Sequence, residues 1–232
     1  VTASIQDAGN GWFRCVATKV AVNASVYIQY GVTTANGTAS YTGAAGNGAY
    51  FWGAQFEAGA FATSYIPTTS ASLTRNADVA TMTGTNFSSW FNATQGAFEL
   101  DYIQPVNYSG NTYIFSVCAA TNGNQLTFLT ESTPRAIWYC NAGGSTVANV
   151  AAGSMVINAT NKQVAGYKLN NYAMAVNGAS TAVDTLGAVP TGVNAAYFGT
   201  NVDGTNRWNG WIRKVNYWPQ CLINAEVQAF SK

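Results

Sequence analysis

The sequence predicts an all-β protein of antiparallel β-sandwich type, and three observations carry that expectation. Short runs rich in aromatic and β-branched residues recur along the chain. Clusters of Gly, Asn, Ser and Thr separate them, with Asn-Gly and Asn-Ala-Gly steps suited to tight turns. Between the runs there is almost no 3.6-residue apolar periodicity, so the strands must pack on one another rather than on helices.

Taken in order, residues 1–66 hold three strand candidates, Trp12–Lys19, Ser25–Val32 and Ala49–Phe56. Pro67 and the Thr/Ser run after it give an extended polar linker over 67–76. Residues 77–232 then supply candidates at Ala97–Ile103, Thr112–Ala119, Gln125–Glu131, Arg135–Cys140, Lys162–Asn170, Tyr172–Val176, Ala195–Thr200 and Gly210–Trp218. One short helix closes the chain in "LINAEVQAF", where Leu222, Val227 and Phe230 share a stripe and Asn224 is placed to cap.

The first module is short of strands. A closed sandwich needs more than three or four, and without a second sheet Trp12, Phe13, Tyr27, Tyr50 and Trp52 stand in water, at ~1.5–3 kcal/mol for each large apolar side chain. The missing strands are therefore expected from residues preceding Val1 in a longer precursor, or from a neighbouring subunit in a homo-oligomer. The chain opens at Val1 rather than Met, which reads as a processed or trimmed product.

Charge is scarce. Only 8% of residues are Asp, Glu, Lys or Arg, against roughly 25% in an average domain. Neutral polar groups must keep the surface wet, as suits a protein that meets sugars or its own kind. A net charge of +1 with scattered cations argues against nucleic acid as partner. No apolar run reaches the ~18 residues of a membrane span. The absence of histidine excludes Ser-His-Asp and Cys-His catalysis and most zinc sites. Cys15, Cys118, Cys140 and Cys221 show no metal-type spacing and lie in apolar, strand-like contexts. Buried free thiols are expected, with Cys118–Cys140 the pair to test for a bridge.

Two stretches, "ASIQDAGNGWFRC" (3–15) and "AYFWGAQFEAGAFATSYIPTT" (49–69), resemble a segment of bacteriophage tail, tail-fibre and other structural proteins. There it forms the C-terminal part of a carbohydrate-binding-module-like jelly roll. Residues 77–232 resemble the concanavalin A-like, laminin-G-like sandwiches, through "KQVAGYKLNNYAMAVNG" (162–178) and "WNGWIRKVNYWPQCLINAEVQAF" (208–230). The resemblance implies a partial first module over 1–66, a jelly-roll sandwich over 77–232, and a non-enzymatic virion protein. Such a protein is made in the bacterial cytoplasm and serves in a tail or fibre that adheres to host-surface glycan. Its partners would be copies of itself, other virion proteins and carbohydrate. A purely structural decoration or filament subunit is the rival reading, and a polysaccharide depolymerase a further one.

Concanavalin A-like glucanases carry Glu-x-Asp-x-Glu, or Glu-x-Asp-x-x-Glu with a bulge, on one strand. "ELDYIQ" begins in that way with Glu99 and Asp101 on one strand face, then places Ile103 and Gln104 at the two alternative positions of the third acid. An amide cannot transfer the proton that glycoside cleavage needs. Glu99 and Asp101 are therefore expected as solvent-facing structural acids. Laminin-G-like domains hold calcium through rim Asp side chains, so the resemblance names Asp203 and Asp184 as calcium candidates, and no other cofactor is expected. For glycan contact the candidates are Trp208, with Asn201, Asn206 and Arg207 nearby. Trp208 and Trp218 share a strand parity that Trp211 lacks, so one of the two sets should point inward.

Overall fold

The computed structural model describes all residues except 23–24, 26, 36, 39, 60, 76–79 and 133. It divides into two compact units, Val1–Asn76 and Ala77–Lys232.

In the first unit, β1 (Thr2–Gly9) and β2 (Trp12–Thr18) form an antiparallel hairpin. Its turn places Asn10 and Gly11 at φ 54 and 79, the left-handed region that Asn-Gly tolerates. Ile5, Phe13 and Cys15 lie on one face, through the pairs Ile5↔Cys15 and Asp7↔Phe13. The expected strands at Ser25–Val32 and Ala49–Phe56 do not form among the described residues, Val26 lying outside them. The physical reason is visible in the exposure: Tyr27, Trp52 and Tyr50, the last at 92%, have no second sheet to pack on. Residues 55 and 57 instead bond to residues 63 and 66. Glu57 Oε1 accepts from the Thr63 N–H at 2.7 Å, and Gln55 Oε1 from the Ile66 N–H at 2.8 Å.

The second unit is a two-sheet antiparallel sandwich. Its strands are β3 (Ala80–Thr83), β4 (Gln95–Ile103), β5 (Thr112–Cys118), β6 (Gln125–Thr130), β7 (Ala136–Ala142), β8 (Ser145–Ala151), β9 (Thr160–Lys168), β10 (Asn171–Val176), β11 (Ala182–Asp184), β12 (Ala195–Phe198) and β13 (Trp211–Trp218). A four-residue helix, α1 (Thr85–Ser88), follows β3, and α2 (Asn224–Phe230) closes the chain. One sheet has the order β11-β10-β9-β4-β13, the other β3-β12-β5-β6-β7-β8.

Strand alternation builds the core. Phe98, Leu100 and Tyr102 of β4 face Phe115, Phe128 and Trp138 of the opposite sheet, with Tyr167, Met174 and Val176 completing the layer. Phe98 lies 5.4 Å from Phe115 and 6.2 Å from Trp138, centroid to centroid. On the outer face of the five-stranded sheet, α2 covers Val164, Ala173 and Ala175 with Val227 and Leu222. The cap differs from the expected one: Asn224 is the first helical residue, and Glu226 Oε2 reaches back to the Ile223 N–H at 3.0 Å. Isoleucine offers no side-chain acceptor, so only this half of a capping box is made.

Two features mark the edge of the sandwich. β13 carries a bulge between Ile212 and Lys214 where it pairs with β4. Beside it, an apolar cleft of about 620 Å³ opens at the sandwich edge, lined by Met82, Trp90, Phe198, Ile212, Val215 and Tyr217 among others.

All four cysteines are free. Cys118 and Cys140 both lie opposite β6, through Cys118↔Gln125 and Cys140↔Leu126, so they point to opposite faces of one sheet and cannot bridge. Both are buried, as the sequence suggested, but Cys15 is exposed on its hairpin and Cys221 is half-buried.

Candidate functional site

The outer face of the six-stranded sheet carries a polar region beside the buried apolar pair Leu129 and Ile137. Phe115, Val117, Leu126, Phe128, Trp138 and Cys140 turn inward, which leaves their strand neighbours outward. Direct pairing aligns Tyr197 with Ser116, Ser116 with Thr127, and Thr127 with Tyr139. Cys118 and Gln125 form the next row. Two tyrosines thus flank a hydroxyl floor, about 14 Å apart at three strand spacings of ~4.8 Å. Both tyrosines are half-buried. Tyr139 also hydrogen-bonds to Thr146 across 2.8 Å.

Among the described residues of this unit no sheet or helix packs on this face, yet Ser116, Cys118, Gln125 and Thr127 are each at most 1% exposed. The loop 199–207 explains much of the cover. It leaves β12 with the Gly199 N–H bonded to the Ile114 carbonyl (2.8 Å) and is tied at its far end by Tyr113 N–H to Asn206 O (3.0 Å). The Asn201 and Asn206 amides bond to the Tyr113 hydroxyl, whose pKa burial nonetheless raises. Val202 presents its backbone N–H to Cys118, and burial pushes that thiol up to about 12. The Asn122 amide donates to Asp203 Oδ2, joining the loop to the β5–β6 turn. Asn201 Oδ1 accepts from the Thr205 N–H at 3.2 Å, and Gly204 takes φ 65 beneath the Arg207 guanidinium.

Three of the four sequence candidates for glycan contact, Asn201, Asn206 and Arg207, therefore meet in one loop. Asn206 and Arg207 are exposed, but Asn201 is buried and serves the loop itself. Trp208 is corrected. At 5% exposure it packs against Tyr102 (5.9 Å) and donates from Nε1 to Gln104 Oε1 at 3.2 Å, so its faces cannot stack on a sugar. Parity misled because Trp208 precedes β13 and the bulge resets the alternation. Trp211 is half exposed, while Trp218 stacks on Phe230 at 5.3 Å. The residues that sequence reasoning missed are Tyr113, Tyr139 and Tyr197. Their signal was present: in "IWYC" the outward Tyr139 alternates with the inward Trp138.

The calcium candidates fit poorly. Asp203 is engaged by Asn122. Asp184 Oδ1 accepts from the Leu186 N–H at 3.0 Å, and this carboxylate lies near Cys140 and Tyr172. Ca²⁺ takes 6–8 oxygens, usually from several carboxylates. Among the described residues, no three His, Cys, Asp or Glu side chains gather to hold a metal ion.

Glu99 is also corrected. It shares the outer face of the five-stranded sheet with Asp101, but it is 5% exposed rather than solvent-facing. Oε1 accepts from Lys214 Nζ at 3.0 Å, with Lys162 Nζ at 4.0 Å, and Oε2 accepts from Asn216 Nδ2 at 2.8 Å. Both oxygens are engaged by neighbouring strands. Gln104, at the position where the bulged glucanase pattern has its third acid, is buried against Trp208.

No protein-family profile matches the chain, and no curated protein does. Solved structures do. A carbohydrate-binding module, the CBM40 of the Ruminococcus gnavus IT-sialidase bound to α2,3-sialyllactose, is 16% identical with a TM-score of 0.52, over 61% of this chain and 84% of its own. A mutant of the NanB sialidase of Streptococcus pneumoniae is 12% identical with a TM-score of 0.53, over 66% of this chain and 27% of its own. A leech intramolecular trans-sialidase is 16% identical with a TM-score of 0.51, over 60% of this chain and 23% of its own. The chain thus spans about a quarter of the two enzymes. Identities this low define the fold alone: an antiparallel β-sandwich of the carbohydrate-binding-module type.

Proposed function

We propose that the chain is a non-catalytic glycan-binding protein. Its contact surface is the outer face of the six-stranded sheet, and it acts in a bacteriophage tail or fibre that adheres to host-surface carbohydrate. The observation that carries the binding role is the pair of half-buried tyrosines, Tyr197 and Tyr139, at the two ends of one cross-strand row, with the exposed Asn206 and Arg207 on the loop that crosses this face. Aromatic faces pack on pyranose C–H groups, and neutral amides and hydroxyls exchange hydrogen bonds with sugar hydroxyls, so a charge-poor face of this kind suits a polyol. The sandwich shared with a sialyllactose-bound module supports the same class of ligand. The phage setting rests on the sequence motifs at 3–15 and 49–69. Repetition of the subunit would turn weak single-site contacts into avid attachment. Depolymerase chemistry is disfavoured by the engagement of both Glu99 oxygens.

The test is a glycan array probed with the intact chain and with Tyr139→Ala and Tyr197→Ala. The reading expects binding to at least one glycan class, weakened at least tenfold in each variant. An array without a binder, or binding indifferent to both tyrosines, refutes it.

A further inference from the structure

We infer that the loop 199–207 is a lid whose opening extends this face into a concealed polyhydroxyl-binding floor formed by Ser116, Thr127, Gln125 and Asn141; the identity of the ligand rests on the glycan reading above. A buried protein surface is ordinarily apolar or fully hydrogen-bonded, and this one is neither. Ser116 is wholly buried and its Oγ has no partner. Asn122 Oδ1 and Asn141 Oδ1 are also buried without partners. The orientation of both amides is fixed by chemistry: Asn122 must turn its nitrogen to the Asp203 carboxylate, and Asn141 turns its own to the Asn122 carbonyl at 3.1 Å. Both carbonyl oxygens are thereby left as acceptors awaiting donors. Gln125 Oε1 has only the distant contacts of Thr127 Oγ1 (3.4 Å) and Cys118 Sγ (3.9 Å).

The lid itself is held by polar contacts to Tyr113, Cys118 and Asn122. Its base is pinned by the core-anchored Trp208, whose N–H donates to Gly199 O at 2.9 Å, and Gly199 takes φ 72 there. Lifting such a lid exposes hydroxyls and amides that water or a sugar can satisfy, so opening forfeits little apolar burial. The apolar cleft beside β13 offers no such chemistry. Sugar hydroxyls are donors as well as acceptors and match the orphaned Asn122, Asn141 and Ser116 atoms.

Two cysteines make the lid measurable in the native chain. Cys118 lies under it, whereas Cys140 is sealed between the sheets. Labelling with methyl methanethiosulfonate, read by peptide mass spectrometry, should modify Cys118 at least tenfold faster than Cys140. Asp203→Ala should speed Cys118 further and leave Cys140 unchanged. A common rate for both thiols, tracking global unfolding, overturns the lid. The second arm locks it with Asn122→Cys and Asp203→Cys in a Cys118→Ser background, and measures affinity for the glycan that the array scores highest. The floor predicts at least tenfold weaker binding when oxidised, restored on reduction. Equal affinity in both states overturns the concealed floor while leaving the glycan reading intact. An array without any binder sinks that reading, and the labelling rates still decide the lid.

Discussion

Glu99→Gln separates a structural from a catalytic carboxylate. The substitution keeps the shape but removes the charge that accepts from Lys214 and Asn216. Hydrogen bonds to an ionised group contribute ~1.5–3 kcal/mol each. The Lys214 side chain is 46% exposed and recovers water when released, so its share is heavily discounted. Asn216 can still bond to the new amide oxygen, but the amide nitrogen then faces a donor. The net loss is about 1–2 kcal/mol. At ~2–4 °C per kcal/mol for a unit of this size, the melting temperature should fall by roughly 2–8 °C. The assay is near-UV circular dichroism on heating, with Asp101→Asn as the control. Asp101 Oδ1 is buried without a partner, so neutralising that residue forfeits no hydrogen bond at that oxygen and should not lower the melting temperature. A Glu99→Gln protein that melts with the parent would refute the assignment of Glu99 as a cross-strand clamp. So would a loss of sugar hydrolysis at unchanged stability.

Gly96→Ala should be the costlier change. A Cβ there would stand 2.7 Å from the hydroxyls of both Tyr167 and Tyr217, which bond to Asn92, so overpacking should remove ~1–3 kcal/mol in urea unfolding. Trp208→Phe should lose ~1–2 kcal/mol, because Gln104 Oε1 then joins its Nε2 as a buried group without a partner; it should also accelerate labelling of Cys118, since the lid base loosens. Asn170→Ala should lose about 1 kcal/mol or more, since Asn170 sits at φ 54 in the β9–β10 turn and accepts from the Gly187 N–H at 3.1 Å. Oxidation with copper phenanthroline should leave no Cys118–Cys140 crosslink in a non-reducing digest, because the two thiols face opposite ways.

What the sequence disclosed follows from how far apart the cooperating residues lie. β4, β5, β6 and β10 were legible because large inward residues alternate or run together between turn signals. β3 (ATMT), β8 (STVANVA) and β11 (AVD) were not, since small or brief segments become strands only when a neighbour pairs with them. The burial of Glu99 was invisible because Lys214 and Asn216 arrive 115 and 117 residues later. The site was half legible. Asn, Asp and Gly near 201–207 announce a loop, but nothing local says that it folds across Cys118 or that Trp208 turns inward.

The irregularity at Arg213 has a consequence for crowding. β13 is a terminal strand of its sheet, and an unbroken terminal strand offers a template onto which another chain can zip. Here the even rhythm of main-chain groups is interrupted midway, next to two adjacent cations, Arg213 and Lys214. Many copies held side by side at high local density would thus be kept from fusing into fibrils along this margin, and would remain individually folded.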